Sequence, residues 1–172
     1  PLPKACIDAS YQVELFDPIL PVDLPNGVKI HTAEPWNSEA PTLRSQLDSI
    51  TDYVSPWIDK SIFPLILGGE HGILLPIIEL IGESMIRDLS KLTLVQIDAH
   101  ADLRNTLNGE KFSHGTVIRR IFELGIGKVI QIGVRGISRE ENEFISSHDN
   151  IETWFARDLL SLSEDNKWKD MI

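Results

Sequence analysis

Apolar positions along this chain fall into two kinds of pattern. Three short runs stand out, IFPLIL at 62–67, LTLVQI at 92–97 and KVIQIGV at 128–134, and IETW at 151–154 is read as a fourth strand. Continuous runs of this length predict buried strands rather than half-exposed ones. Between them lie segments with helical spacing. In residues 42–60, Leu43, Leu47, Ile50 and Val54 recur on one face, and Pro56 is expected to kink or end the helix. Residues 72–86 are long enough for a helix, with Pro76 tolerated near its first turn. Residues 114–125 read as a helix closed by Gly125. A short helix is expected at 139–147 and a helical turn at 155–162.

Strands alternating with helices predict a single α/β domain over 1–172, with a mainly parallel sheet covered on both faces. Residues 1–40 are Pro-rich and read as an irregular lead-in, with a turn at LPNG, 24–27. In such sheets, ligands sit beyond the carboxyl ends of the strands, so residues just past each run matter most.

Two runs end in ionisable clusters. LTLVQI gives way to DAHADLR, which places Asp98, His100 and Asp102 at every second position. In extended backbone these side chains share one side and would converge past the strand. Two carboxylates and an imidazole form a mixed O/N donor set suited to a divalent ion such as Mn, Fe or Zn. The structural alternative is a turn-capping Asp98, a packed His100 and a solvated Asp102. IFPLIL leads into GGEHG, which brings His71 to the same edge of the sheet, with Glu70 as a first-turn carboxylate as the alternative role. A third motif, FSHGTVIRR, puts Ser113 at an N-cap and His114 at a helix start. A histidine there either carries protons for a nearby site or is an ordinary first-turn residue.

The remaining candidates carry less. His31 and His148 read as surface histidines, the four tryptophans as core or interface, and Arg119 and Arg120 as solvated or ion-paired. Ser113 and Cys6 lack a nucleophile's partners. GVRG at 133–136 lacks a phosphate loop's pattern.

Composition narrows the partners. With 16 Lys+Arg against 26 Asp+Glu, the formal net charge is -10, which disfavours nonspecific nucleic-acid binding and adsorption to anionic membranes. One cysteine excludes an intrachain disulfide, and no apolar run is long enough to span a bilayer. A cytoplasmic location is expected.

Taken together, GGEHG, IDAHADLR and FSHGTVIRR followed by QIGVRG resemble the ureohydrolase family of arginases and agmatinases, the agmatinase branch above all. DASYQVELFD at 8–17 resembles the family segment before its first metal-binding histidine. The resemblance implies a three-layer α/β/α fold and two Mn2+ ions bridged by a hydroxide that attacks a guanidinium carbon and releases urea. It implies that His71 binds one metal with Asp102, that His100 binds the other, that Asp98 bridges both, and that His114 is a proton shuttle or substrate contact. Agmatine, giving putrescine in polyamine biosynthesis, is the expected substrate, and a trimer or hexamer the expected assembly. Arginine, guanidinobutyrate and formimidoylglutamate are alternatives. The family's later S-x-D-x-D block and its guanidinium-pairing glutamate have no match here. The chain therefore resembles an incomplete, internal portion of the domain, expected to bind metal weakly and hydrolyse little by itself. A noncatalytic subunit paired with a complete paralogue is the second reading, and a zinc-dependent deacylase on a related fold the third.

Overall fold

The computed structural model describes residues 2–23, 26–58, 62–83 and 88–164. Helix α1 (Leu2–Ser10) and two short strands, β1 (Phe16–Asp17) and β2 (Val22–Asp23), precede helix α2 (Leu43–Ile58). A 3-10 turn at His71–Ile73 leads into α3 (Leu74–Glu83). Then come β3 (Thr93–Ile97), α4 (Val117–Glu123), β4 (Lys128–Val134), α5 (Arg139–Ser146), β5 (Ile151–Phe155) and α6 (Ala156–Glu164).

Strands β3, β4 and β5 form a parallel sheet in that order. The core lies where α2 packs on α3 and α3 on α4, in one buried cluster with residues of the sheet. Leu47 and Ile50 of α2, Leu75 and Ile78 of α3, Ile118 and Ile121 of α4 and Val129 of β4 belong to one buried cluster. Helix α6 packs on β4 and β5, and its Leu159 is buried apart from that cluster. The arrangement is an incomplete α/β/α fold, as the strand–helix alternation predicts.

Polar contacts fix the helix layer. Arg44 of α2 donates Nη1 and Nη2 to the two carboxylate oxygens of Glu79 on α3, each at 2.9 Å. Such two-pronged pairing holds direction as well as distance, and the Glu79 and Asp48 carboxylates raise the Arg44 pKa further above its already high value. Helix α2 passes Pro56 and continues to Ile58 rather than ending there. Proline cannot donate to the carbonyl of Asp52, and the Ser55 hydroxyl takes that carbonyl instead at 3.1 Å. Residues 59 and 60, included in the expected helix, lie outside the described residues, as do 84–87.

Three expectations change. The lead-in 1–40 is not uniformly irregular: α1 forms, tied by Lys4 to Asp8 at 2.6 Å, and β1 pairs with β2. Pro3 falls in the first turn, where its missing N–H costs nothing. Of the LPNG turn, Leu24 and Pro25 lie outside the described residues. Asn26 donates its N–H to Asp23 O at 3.1 Å, and Asn26 and Gly27 both have positive φ.

Second, 62–67 forms no strand. Phe63 is 92% and Leu65 80% exposed. A strand needs a hydrogen-bonding neighbour, and the edge of β3 away from β4 is not paired with this segment. Third, β3 is buried on one face only. Leu94 and Gln96 turn inward while Val95 and Ile97 remain exposed.

The layer contact between α4 and the sheet predicts a specific cost. Ile118→Ala, at a fully buried position, should lower unfolding free energy by about 2–5 kcal/mol. Urea denaturation measures it, and a loss under about 1 kcal/mol would contradict this packing of the core.

Candidate metal centre

The site lies where the segment after residue 67 meets the carboxyl end of β3. Glu70 precedes the 3-10 turn and accepts the Gly72 N–H on Oε1 at 3.0 Å, so the carboxylate caps the turn that begins at His71. His71 Nδ1 stands 3.0 Å from Asp102 Oδ2 and 3.9 Å from Asp98 Oδ2. Ligand atoms of His71, Asp98 and Asp102 all lie within 4.8 Å of one another, the single such group of three among the described residues.

Backbone geometry explains how two aspartates four apart reach one point. Asp98 follows β3 directly, and its N–H still donates to Ile132 O of β4 at 3.1 Å. Its Oδ1 accepts the His100 N–H at 2.9 Å, which turns the chain out of the strand. Beyond this point the period of two no longer applies. Asp102 has φ +54, a left-handed conformation rare for a side chain other than glycine. That conformation, rather than strand alternation, brings its carboxylate beneath His71. Neighbouring contacts hold it: Asp102 O accepts Arg119 N at 3.2 Å, and Leu103 N donates to the buried Glu141 at 3.1 Å.

The same turn separates His100 from the group. Its side chain is 71% exposed, and Nδ1 lies 3.6 Å from Asp98 Oδ1. Its backbone bridges Gly136, where an added Cβ would come within 2.9 Å of the imidazole. The GVRG stretch thus gives His100 room to lie against the end of β4. His114 opens a 3-10 turn after Ser113 and is 64% exposed, with Nδ1 3.9 Å from Glu70 Oε2. The loop between Asp102 and His114 is folded back by Leu107 and Glu110, which exchange both backbone hydrogen bonds at 2.9 Å around Asn108 and Gly109. Both turn residues have positive φ, as a tight two-residue hairpin turn requires.

Four residues missed by sequence reasoning support the site. Gln96 donates Nε2 to Asp102 Oδ2 at 3.0 Å, and Gln131 donates to Gln96 Oε1 at 2.6 Å. Thr153 donates to Gln131 Oε1 at 2.9 Å. The available signal was a glutamine inside each of two apolar runs, LTLVQI and KVIQIGV. Glu141, 3% exposed, accepts from Ser138 as well as Leu103, and nothing in its sequence context marks it as buried. Elsewhere, His148 is half-buried rather than a surface histidine: it packs edge-on to Phe122 with ring centroids 5.0 Å apart. Arg119 and Arg120 both donate to Glu123 Oε1.

Asp102 holds the His71 imidazolium above the ordinary histidine range through their hydrogen bond; partial burial opposes this, and the charges of Asp102 and Asp98 add to it. A raised folded pKa stabilises the metal-free protein below the unfolded value, about 6.5, and that stability is lost as pH rises through the folded value. NMR titration should therefore place His71 above an exposed histidine, and Asp102→Asn should bring it back down. An unchanged His71 titration in Asp102→Asn would contradict the pairing.

Comparison with known proteins places the whole chain rather than its individual site residues. An N(1)-aminopropylagmatine ureohydrolase from Synechocystis is 32% identical over 162 residues, covering 91% of this chain and 51% of that protein. A Bacillus cereus agmatinase is 34% identical over 143 residues, covering 83% and 48%. The solved agmatine ureohydrolase of Thermoplasma volcanium superposes with a TM-score of 0.74 at 25% identity, over 98% of this chain and 55% of that one. The chain thus spans about half the length of these relatives. A family model described as the Arginase family matches residues 3–169, and the chain belongs to that family.

Proposed function

We propose that this polypeptide carries part of a metal-dependent site that hydrolyses a guanidino compound to urea and an amine, agmatine being the favoured substrate. The convergence of His71, Asp98 and Asp102 within 4.8 Å at the end of β3 carries this reading. The donor set fits the ion: one imidazole and two carboxylates suit Mn2+ better than a thiolate-seeking metal. Similarity to an agmatinase and to an aminopropylagmatine ureohydrolase supports the guanidino substrate class.

In this reading His71, Asp98 and Asp102 would hold the ion, and His100, with Nδ1 3.6 Å from Asp98 Oδ1, would serve a second one. Manganese, when bound, supplies a water acidic enough to act as a nucleophile at neutral pH. Guanidinium is resonance-stabilised and a poor electrophile, so orientation matters as much as the nucleophile. The chain's formal net charge of -10 suits a cationic substrate. His114, exposed beside Glu70, would pass a proton between the departing amine and solvent. A cytoplasmic location, a role in polyamine formation and a trimeric or hexameric assembly belong to the same proposal.

Metal binding tests the reading first and catalysis second. The chain should take up Mn2+, and Asp98→Asn and His71→Asn should each weaken binding about ten-fold or more. Titration calorimetry measures this, and unchanged affinity in both variants would overturn the site. Urea release from agmatine, guanidinobutyrate and arginine then separates the readings. Release dependent on Asp98 supports hydrolysis, whereas at most one weakly held ion with no urea from any of them supports a noncatalytic subunit.

A further inference from the structure

A row of hydrogen bonds crosses the sheet and ends on Asp102. Gln96 of β3 and Gln131 of β4 are register partners, and both are buried, at 6% and 0% exposure. Thr153 follows at the next strand, paired with Gln131. Two buried amides side by side are costly unless their atoms are satisfied, and here each has one orientation that satisfies it. The backbone carbonyl of Ala101 can only accept, and Gln131 donates Nε2 to it at 2.7 Å. Gln131 must then present Oε1 to the Thr153 hydroxyl, 2.9 Å away. Its Nε2 also reaches Gln96 Oε1 at 2.6 Å, so the Gln96 carbonyl faces Gln131. The Gln96 amide nitrogen is left facing Asp102 Oδ2 at 3.0 Å and His100 O at 3.3 Å. Reversing either glutamine would set oxygen against oxygen at two contacts.

We propose that Gln96 and Gln131 are positioning residues for the metal site: a one-directional amide relay, anchored on Ala101 O and Thr153, that fixes the Asp102 oxygen facing His71. This rests on the reading of Asp102 as a metal ligand. The relay has a definite task because Asp102 sits in a left-handed backbone conformation that an unsupported aspartate leaves easily. The carboxylate is 8% exposed, so water does little to orient it. Gln96 makes the direct contact, while Gln131 makes no hydrogen bond to the group of three and acts through Gln96, whose orientation it sets. Partners of this kind, one step removed from an ion, typically change metal affinity about 10–100-fold when removed.

The test replaces each amide by a side chain of similar length without hydrogen-bonding amide atoms. Gln96→Met should weaken Mn2+ binding to the full chain by about ten-fold or more. Gln131→Met should weaken it also, despite its distance, and the double variant should lose no more than Gln96→Met alone. Ile121→Val serves as control, since it disturbs packing in the same core without touching the relay; its Mn2+ affinity should match the wild type whatever its melting temperature. Wild-type affinity in Gln96→Met, or losses that multiply in the double variant, would overturn the proposal, leaving the metal reading intact. Failure of the wild-type chain to bind Mn2+ would overturn both. A second measurement needs no variant: the Gln96 and Gln131 side-chain amide protons should exchange with solvent far more slowly than those of exposed Gln12. Equal exchange would show that the relay does not persist in solution, and would overturn it too.

Discussion

Asp102 Oδ2 lies 3.0 Å from His71 Nδ1 and 3.0 Å from Gln96 Nε2, and much of the molecule is arranged around keeping it there. A carboxylate this buried costs several kcal/mol unless it is paired and hydrogen-bonded. The left-handed backbone at Asp102 adds roughly 1–3 kcal/mol of strain. Compensation comes from three directions: His71 from the turn ahead of α3, Gln96 from β3, and Arg119 N from α4 onto the Asp102 carbonyl. One residue therefore ties together the helix layer, the sheet and the segment that leads into α3. The strain is local, and the rigid parts around it are what sustain it.

The sheet contributes more than a platform. Gly133, with φ +91, marks an irregularity in the β4–β5 register at the level where Asp98 still donates to Ile132 O. Such irregularities bend a strand and re-aim the residues beyond the bend. There, Arg135 and Gly136 both donate to Ala99 O at 2.9 Å, closing the end of β4 onto the turn that carries His100. The turn that starts at Asp98 is therefore fastened at both ends, by β4 below and by Glu141 at Leu103 above.

Local pattern made much of this legible. The spacing of Leu47, Ile50 and Val54 predicts the buried face of α2, and the apolar runs predict β3 and β4. The grouping of His71 with Asp98 and Asp102 came from both motifs lying just past apolar runs. The features that could not be read depended on partners distant in sequence. Residues 62–67 are apolar enough for a strand, yet pairing is decided by a neighbour that local sequence does not specify. The left-handed turn at Asp102 has no decisive local signature either, since aspartate tolerates that conformation without requiring it. That turn is why His100 lies outside the group of three, although its spacing in D-x-H-x-D suggests convergence. The paired glutamines were visible as polar interruptions, but their meaning needed the register of β3 against β4.

The function proposed for this chain depends on one ion sitting among three side chains. A crystal of this chain soaked in Mn2+ and measured at the manganese absorption edge tests it directly. The predicted result is an anomalous peak in direct contact with His71 Nδ1, Asp98 and Asp102, with the Gln96 amide still on Asp102. A peak elsewhere, or manganese held without Asp102, would contradict it.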